Sequence, residues 1–277
     1  MRRAAAEAGL GADDVELFRA SSAPLYRLAG HVARLCEDGD AADHEHWIGV
    51  ELERAGVAAA RPVAPPVHVG DSCVVFSAWI DHDPEPPTWH DVGLAAGRLH
   101  RATTTSPWTI EPLLDSIRAR LDNATERGLT DPSEVQLLGG LLDEHGTRLA
   151  VIAGEDPLGW AISHGDLHPG NVIMAGGEPV LVDLELTHPG PCSYDVVPAM
   201  VAVDRYGKVP TALDEFRVGY GTPIPDWPGL AVMQTVYEVW LTIWSLTARD
   251  SSALHEREAT VRLRHWTHDD PTPWSLL

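Results

Sequence analysis

Three side chains in one short stretch, Asp166, Asn171 and Asp183, have the types and spacing for metal-assisted chemistry at an oxygen atom. They lie in residues 162–185, ISHGDLHPGNVIMAGGEPVLVDLE. Two runs of strand character, Val172-Ile173-Met174 and Val180-Leu181-Val182, flank Ala-Gly-Gly-Glu-Pro, a turn signature. Folding these runs into a ribbon brings Asn171 beside Asp183 and leaves Asp166 on the preceding loop. A carboxylate and a carboxamide oxygen on a rigid ribbon suit Mg2+, a hard ion that takes oxygen ligands and keeps several waters. Asp166 is then placed to orient a hydroxyl and receive its proton. In phosphoryl transfer, positioning and metal charge supply most of the catalysis, and this set of residues implies that chemistry.

The run His164-Gly165-Asp166-Leu167-His168-Pro169-Gly170-Asn171, followed by Val182-Asp183-Leu184-Glu185, resembles the aminoglycoside phosphotransferase and choline kinase family. The resemblance implies an α+β, two-lobed, protein-kinase-like fold. Its small antiparallel-sheet N-lobe would span residues 1–79 and bind nucleotide; its larger, mainly helical C-lobe would span residues 80–277 and carry the catalytic and acceptor-binding groups. ATP is the implied donor. GTP stays open, because backbone groups at the hinge read the base. Asn171 and Asp183 become the Mg2+ ligands and Asp166 the catalytic residue. His164, His168 and Glu185 stand one step from the chemistry. Asp195, in Tyr194-Asp195-Val196-Val197, is implied to brace the catalytic loop through backbone N–H groups.

The elements that must position this stretch begin with three short strands, near residues 15–19, 26–29 and 31–37. The turn between the first two, Ala20-Ser21-Ser22-Ala23-Pro24, contains no glycine, so Ser21 and Ser22 would offer the N–H and hydroxyl donors for phosphate. The third strand should carry a phosphate-binding cation. Lys208 is the only lysine of the chain, and Arg34 occupies the matching position. A guanidinium binds phosphate in a bidentate way, so the exchange is chemically sensible. Residues 43–55 form an amphipathic helix with Trp47, Ile48, Leu52 and Ala55 near one stripe. Glu45 on it best matches the partner of Arg34, with Glu51 as the alternative. Residues 61–66, rich in proline, read as a stiff link. A strand over 72–77 then runs into the hinge, where the backbones of Ala78 and Ile80 would meet the nucleotide base.

Beyond the hinge the pattern turns helical. Thr88 caps a helix whose Gly93, Gly97, Leu99 and His100 resemble the G-x-x-L-x-x-L-H helix of the same family. Two further helices cover residues 113–127 and 132–150. Eleven residues separate Asp183 from Asp195, too few for an activation segment, and Gly165 stands where protein kinases hold arginine. Both facts argue against protein substrates and loop phosphorylation. In the apolar helix over 230–249, Glu238 is a costly buried carboxylate unless paired. It either forms an ion pair, for example with Arg257, Arg262 or Arg264, or binds the acceptor. Trp240 nearby suits a ring-bearing or quaternary acceptor.

Composition narrows the partners. With 20 basic and 41 acidic residues among 277, the net charge of −21 disfavours nucleic acid and anionic membrane and favours a cationic acceptor. Three scattered cysteines argue against a disulfide framework or a zinc site, and the 14 histidines show no H-E-x-x-H spacing. Met1-Arg2-Arg3 is followed by small and acidic residues rather than an apolar signal core. The expectation is a cytoplasmic monomer or homodimer acting on a hydroxyl of a small molecule. An aminoglycoside-type antibiotic is the first acceptor, which would make the protein an antibiotic-resistance factor. A metabolic alcohol, sugar or macrolide is the alternative. A nucleotide-binding scaffold without catalysis is a reading of a different class.

Overall fold

A computed structural model describes residues 1–11, 14–19, 24–36, 39–70, 72–102, 111–207 and 210–275. They divide into two compact units, one within residues 1–87 and 169–187 with Ala102, the other within 88–101, 105–168 and 188–277.

The first unit is built on a five-stranded antiparallel sheet in the order β1-β2-β3-β5-β4. The strands are β1 (Glu16–Arg19), β2 (Leu25–Leu28), β3 (His31–Cys36), β4 (Pro62–Val69) and β5 (Ser72–Ala78). Period-two alternation along β5 supplies both faces of this sheet at once. Val74 and Phe76 join Leu28, Ala33, Ala64 and Val67 on the face that buries Ala4 and Ala5 of α1 (Arg2–Glu7). Cys73 and Val75 point the other way and cluster with Cys36 and with Ala42 of α2 (Gly39–Arg54). The three cysteines are free and buried.

Of residues 61–66, expected as a link, 62–66 belong instead to β4. The strand tolerates Pro62, Pro65 and Pro66 because it lies at the sheet edge, where a missing N–H breaks no ladder on the outer side. Its pairing with β5 slips at Pro62/Ala64 and again at Ala64/Val67, the irregularity expected where proline cannot donate.

A two-stranded hairpin, β7 (Val172–Ala175) and β8 (Glu178–Leu181), completes this unit. It is longer than the two short runs suggest, because Gly176 and Gly177, at φ 61° and 80°, close a two-residue turn. Two bonds, Ala60 N–H to Leu181 O (2.7 Å) and Leu181 N–H to Ala58 O (3.0 Å), fasten its base to the chain before β4. Asp83 fastens its tip, accepting from the N–H groups of Gly176 (3.1 Å) and Gly177 (2.8 Å).

The second unit is mainly helical, with a short ribbon of β6 (Trp160–Ser163) and β9 (His188–Pro191). Thr88 starts α3 (Trp89–His100) through a reciprocal capping box with Asp91. Then come α4 (Glu111–Glu126), α5 (Pro132–Ile152), α6 (Val197–Val201), α7 (Ala212–Tyr220), α8 (Pro228–Thr247) and α9 (Ala253–His268). Helix α8 buries Leu230, Met233, Val236, Val239, Trp240 and Ile243 and forms the centre of this unit. No described helix is long and apolar enough to cross a membrane.

Helices α3 and α7 pack backbone to backbone. A β-carbon at Gly93 would fall on the carbonyl of Phe216, and one at Gly219 on the carbonyl of His90. Neither neighbour is a side chain that can rotate away. Gly93→Ala should therefore lower the unfolding free energy by about 2–3 kcal/mol, as for an overpacked core. Gly139→Ala in α5, where a β-carbon meets nothing within 4 Å, should cost nothing. Urea titrations of the two variants against wild type check the contrast.

Candidate active site

The loop after β6 is held by one buried carboxylate. Asp195 accepts from the backbone N–H of His164 (2.8 Å) and of Gly165 (3.0 Å), and from His100 Nε2 (2.9 Å). It has no solvent exposure. His100, from the end of α3, carries the network on to the Tyr220 hydroxyl at 2.9 Å. Gly165 adopts φ 84°, a left-handed conformation that suits glycine, which explains its presence between His164 and Asp166. Burial alone would raise the pKa of Asp195. The hydrogen bond and charge of His100, and then His164, more than reverse this and hold it below the usual carboxylate range.

On that braced loop Asp166 accepts a 2.6 Å hydrogen bond from the Tyr237 hydroxyl of α8, and its Oδ2 lies 3.7 Å from Nε2 of the half-exposed His168. Desolvation would raise its pKa, yet His168, Tyr237 and His164 together lower it, so the carboxylate is ionised at neutral pH. His164 itself is buried and carries the backbone N–H that Asp195 holds.

Within the first unit, the hairpin aligns the two expected metal ligands. Asn171 ends a 3-10 turn, Pro169–Asn171, and is 8 % exposed. Its carbonyl accepts from Val182 N–H at 3.0 Å, which sets Asn171 one residue away from Asp183 across the ribbon. Asp183 is exposed and takes φ 60°, ψ 65°. Among the described residues only Asp183 and Asp269 combine a side chain with positive φ. This conformation costs of the order of 1 kcal/mol and is typical of functional turns. It ends β8 sharply and starts a 3-10 turn, Leu184–Leu186.

That turn brings Glu185 to Arg34. The guanidinium of Arg34 is shared by two carboxylates, Nη2 with Glu45 of α2 and Nη1 with Glu185 Oε2 at 3.1 Å. Burial would lower its pKa, but Glu185, with Cys36 and Asp183, raises it above the usual arginine value. Of the two glutamates considered for Arg34, Glu45 is the partner; Glu51 faces Arg54 instead. Glu185 is a second partner not foreseen for Arg34, because 151 residues separate them. A further tie, His44 Nε2 to Thr187 O at 2.6 Å, joins α2 to the same segment.

The remaining expected residues are placed as follows. Ser21 and Ser22 lie outside the described residues. Ala78 N–H is bonded to Arg61 O at 2.8 Å, and Ile80 is half-buried. Glu238 is an ion-paired carboxylate, but with Arg205 rather than Arg257, Arg262 or Arg264. Arg205 Nε and Nη2 reach its two oxygens at 2.8 and 2.9 Å, and Gln234 adds a third bond. Trp240 is buried, with the Arg120 guanidinium 5.0 Å from its ring centre. Tyr237 was not anticipated; a tyrosine on an apolar helix reads as core, and no local motif marks it. Among the described residues no three His, Cys, Asp or Glu side chains form a metal-holding group.

The architecture is that of small-molecule kinases. Amicoumacin kinase hAmiN, determined in complex with AMP-PNP, Ca2+ and Ami, superposes with a TM-score of 0.65 at 13 % identity, over 94 % of this chain and 90 % of that one. Aminoglycoside phosphotransferase APH(3'')-Id from Streptomyces rimosus matches at TM-score 0.62 and 16 % identity, over 86 % and 95 %. A choline/ethanolamine kinase family protein from Mesorhizobium loti matches at 0.61 and 16 %, over 92 % and 87 %. At these identities the likeness establishes the kinase-like α+β fold. Sequence comparison finds no curated protein that matches. Residues 25–233 match the model of the phosphotransferase enzyme family, APH. The chain belongs to that family and is a small-molecule phosphotransferase.

The Asp195 network makes a stability prediction. Its lowered pKa contributes stability that is present above the unfolded carboxylate value of about 3.9 and is lost as pH falls through the folded value. Asp195→Ala should cost about 3–5 kcal/mol at pH 7, since it strands buried N–H donors. Part of the wild-type loss of stability below about pH 4 should vanish with it. Chemical denaturation at pH 7 and at pH 3 measures both effects.

Proposed function

We propose that the chain catalyses ATP-dependent phosphorylation of a hydroxyl on a small cationic molecule, with an aminoglycoside-type antibiotic as the first acceptor class. The observation that carries this reading is an ionised Asp166 on a loop whose backbone is locked by Asp195. Asp166 orients the acceptor hydroxyl and receives its proton as the oxygen–phosphorus bond forms and the bond from the γ-phosphorus to the departing ADP breaks. Arg34, braced by Glu45 and Glu185, carries the positive charge assigned to the nucleotide phosphates. Asn171 and Asp183 would hold Mg2+, which supplies charge neutralisation on the phosphate oxygens. The donor set fits that ion, since one carboxylate and one carboxamide leave the other positions to phosphate and water. On this reading residues 1–79 serve the nucleotide, and residues 80–277 carry the catalytic and acceptor-binding groups.

The net charge of −21 supports a cationic acceptor; antibiotic resistance inside the cell is the role that an aminoglycoside-type acceptor would give the protein. The complex of amicoumacin kinase with AMP-PNP and Ca2+ supports a nucleoside triphosphate and a divalent cation as the co-reactants. A panel of aminoglycosides and simple alcohols, assayed for Mg2+-dependent ATP turnover, tests the acceptor class. In that assay Asp166→Ala should lower kcat by roughly 10²–10⁴-fold, the contribution of a general base, and leave ATP affinity nearly unchanged. Near-normal turnover in the variant contradicts the role of Asp166.

A further inference from the structure

Asp166 is held from outside its own loop as well as from within it. The Tyr237 hydroxyl donates to Asp166 Oδ1 at 2.6 Å, the length of a charge-assisted O–H···O bond. Tyr237 is 3 % exposed and sits in the middle of α8 between Val236 and Glu238, both buried. Its ring meets Tyr194 edge to face, with centroids 6.3 Å apart. Helix and ring together therefore fix the direction of the hydroxyl. A buried phenol needs a hydrogen-bond partner, and here the partner is the carboxylate on which the proposed reaction turns.

We propose that Tyr237 is a positioning residue for Asp166: its hydroxyl fixes the plane of the carboxylate and keeps it a proton acceptor, so that the acceptor hydroxyl meets one orientation of an ionised group. The inference rests on the reading of Asp166 as the group that receives the proton. Burial and the adjoining carboxylate push the Tyr237 phenol well above its ordinary value, so it remains a donor throughout the working pH range. The other titratable groups coupled to Asp166 are His164 and His168 on its own loop, Tyr194 in the turn before α6, and Tyr206 before α7. The Tyr237 hydroxyl is hydrogen-bonded to the Asp166 carboxylate at 2.6 Å, while His168 Nε2 lies 3.7 Å from its other oxygen.

Two variants decide the matter. Tyr237→Phe keeps the ring and its contact with Tyr194 and deletes only the donor. Replacing Tyr237 by 3,5-difluorotyrosine keeps the donor and strengthens it. Carbon-13 NMR of aspartate carboxyls, with the Asp166 signal assigned by its loss in Asp166→Asn, follows the titration without any assay of activity. The Asp166 pKa should rise by about one unit in Tyr237→Phe, the equivalent of a lost charge-assisted bond, and fall in the fluorinated protein. In turnover, kcat should drop about tenfold in Tyr237→Phe with ATP KM unchanged, and the acid limb of its pH profile should move up by the same amount as the titration. An Asp166 titration that is identical in all three proteins overturns the proposal. So does an unmoved acid limb in Tyr237→Phe when Asp166→Asn is inactive. If Asp166→Asn keeps its turnover, the reading of Asp166 as base fails instead, and the NMR titration still decides whether Tyr237 governs this carboxylate.

Discussion

A fully buried carboxylate with three donors, Asp195, is the constraint on which the loop carrying Asp166 depends. Asp195 is a charge without solvent, and such a group is tolerated only where hydrogen bonds replace its hydration. Two of its donors are consecutive backbone N–H groups, those of His164 and Gly165, so satisfying the charge also dictates the path of the chain into Asp166. The third donor, His100, links this demand to α3, and α3 in turn is pressed against α7 through Gly93 and Gly219. Electrostatic need and close helix packing thus act on the same loop from two directions.

The sheet unit meets its own constraint with the opposite device. Arg34 is a single cation between two glutamates, one on α2 and one just past Asp183. The pairing ties β3, α2 and the end of the hairpin into one piece, and His44 adds a second tie between α2 and Thr187. In a unit whose described residues carry no lysine, a planar guanidinium is the group that can serve several oxygens at once. The left-handed turn at Asp183 is what lets the chain leave β8 and reach Arg34 within two residues.

Much of this was legible in the sequence because it is local. The hairpin and the Thr88 cap follow from turn and capping chemistry over a few residues. Arg34 and Glu45 are eleven residues apart, and their pairing was implied by the family resemblance, with Glu51 as the alternative. The proline-rich β4 misled, because proline signals a break unless its strand is known to be an edge, and edge position is a property of the whole sheet. The partner of Glu238 was misjudged for a related reason. Arg205 lies on a different segment, whereas the arginines considered followed Glu238 in sequence.

The sequence alone determined the candidate groups: an aspartate, an asparagine and an aspartate at spacings that a hairpin can gather, and a net charge of −21. These depend on residue type and short-range geometry, which the chain order states directly. Tertiary structure decided who holds those groups in place. Tyr237 reaches Asp166 across 71 residues, His100 reaches Asp195 across 95, and Glu185 reaches Arg34 across 151. Such pairings arise from which helix faces which loop after packing, and no local pattern encodes that choice. The signature at residues 164–171 therefore marked candidate groups, and the folded chain set the ionisation of Asp166.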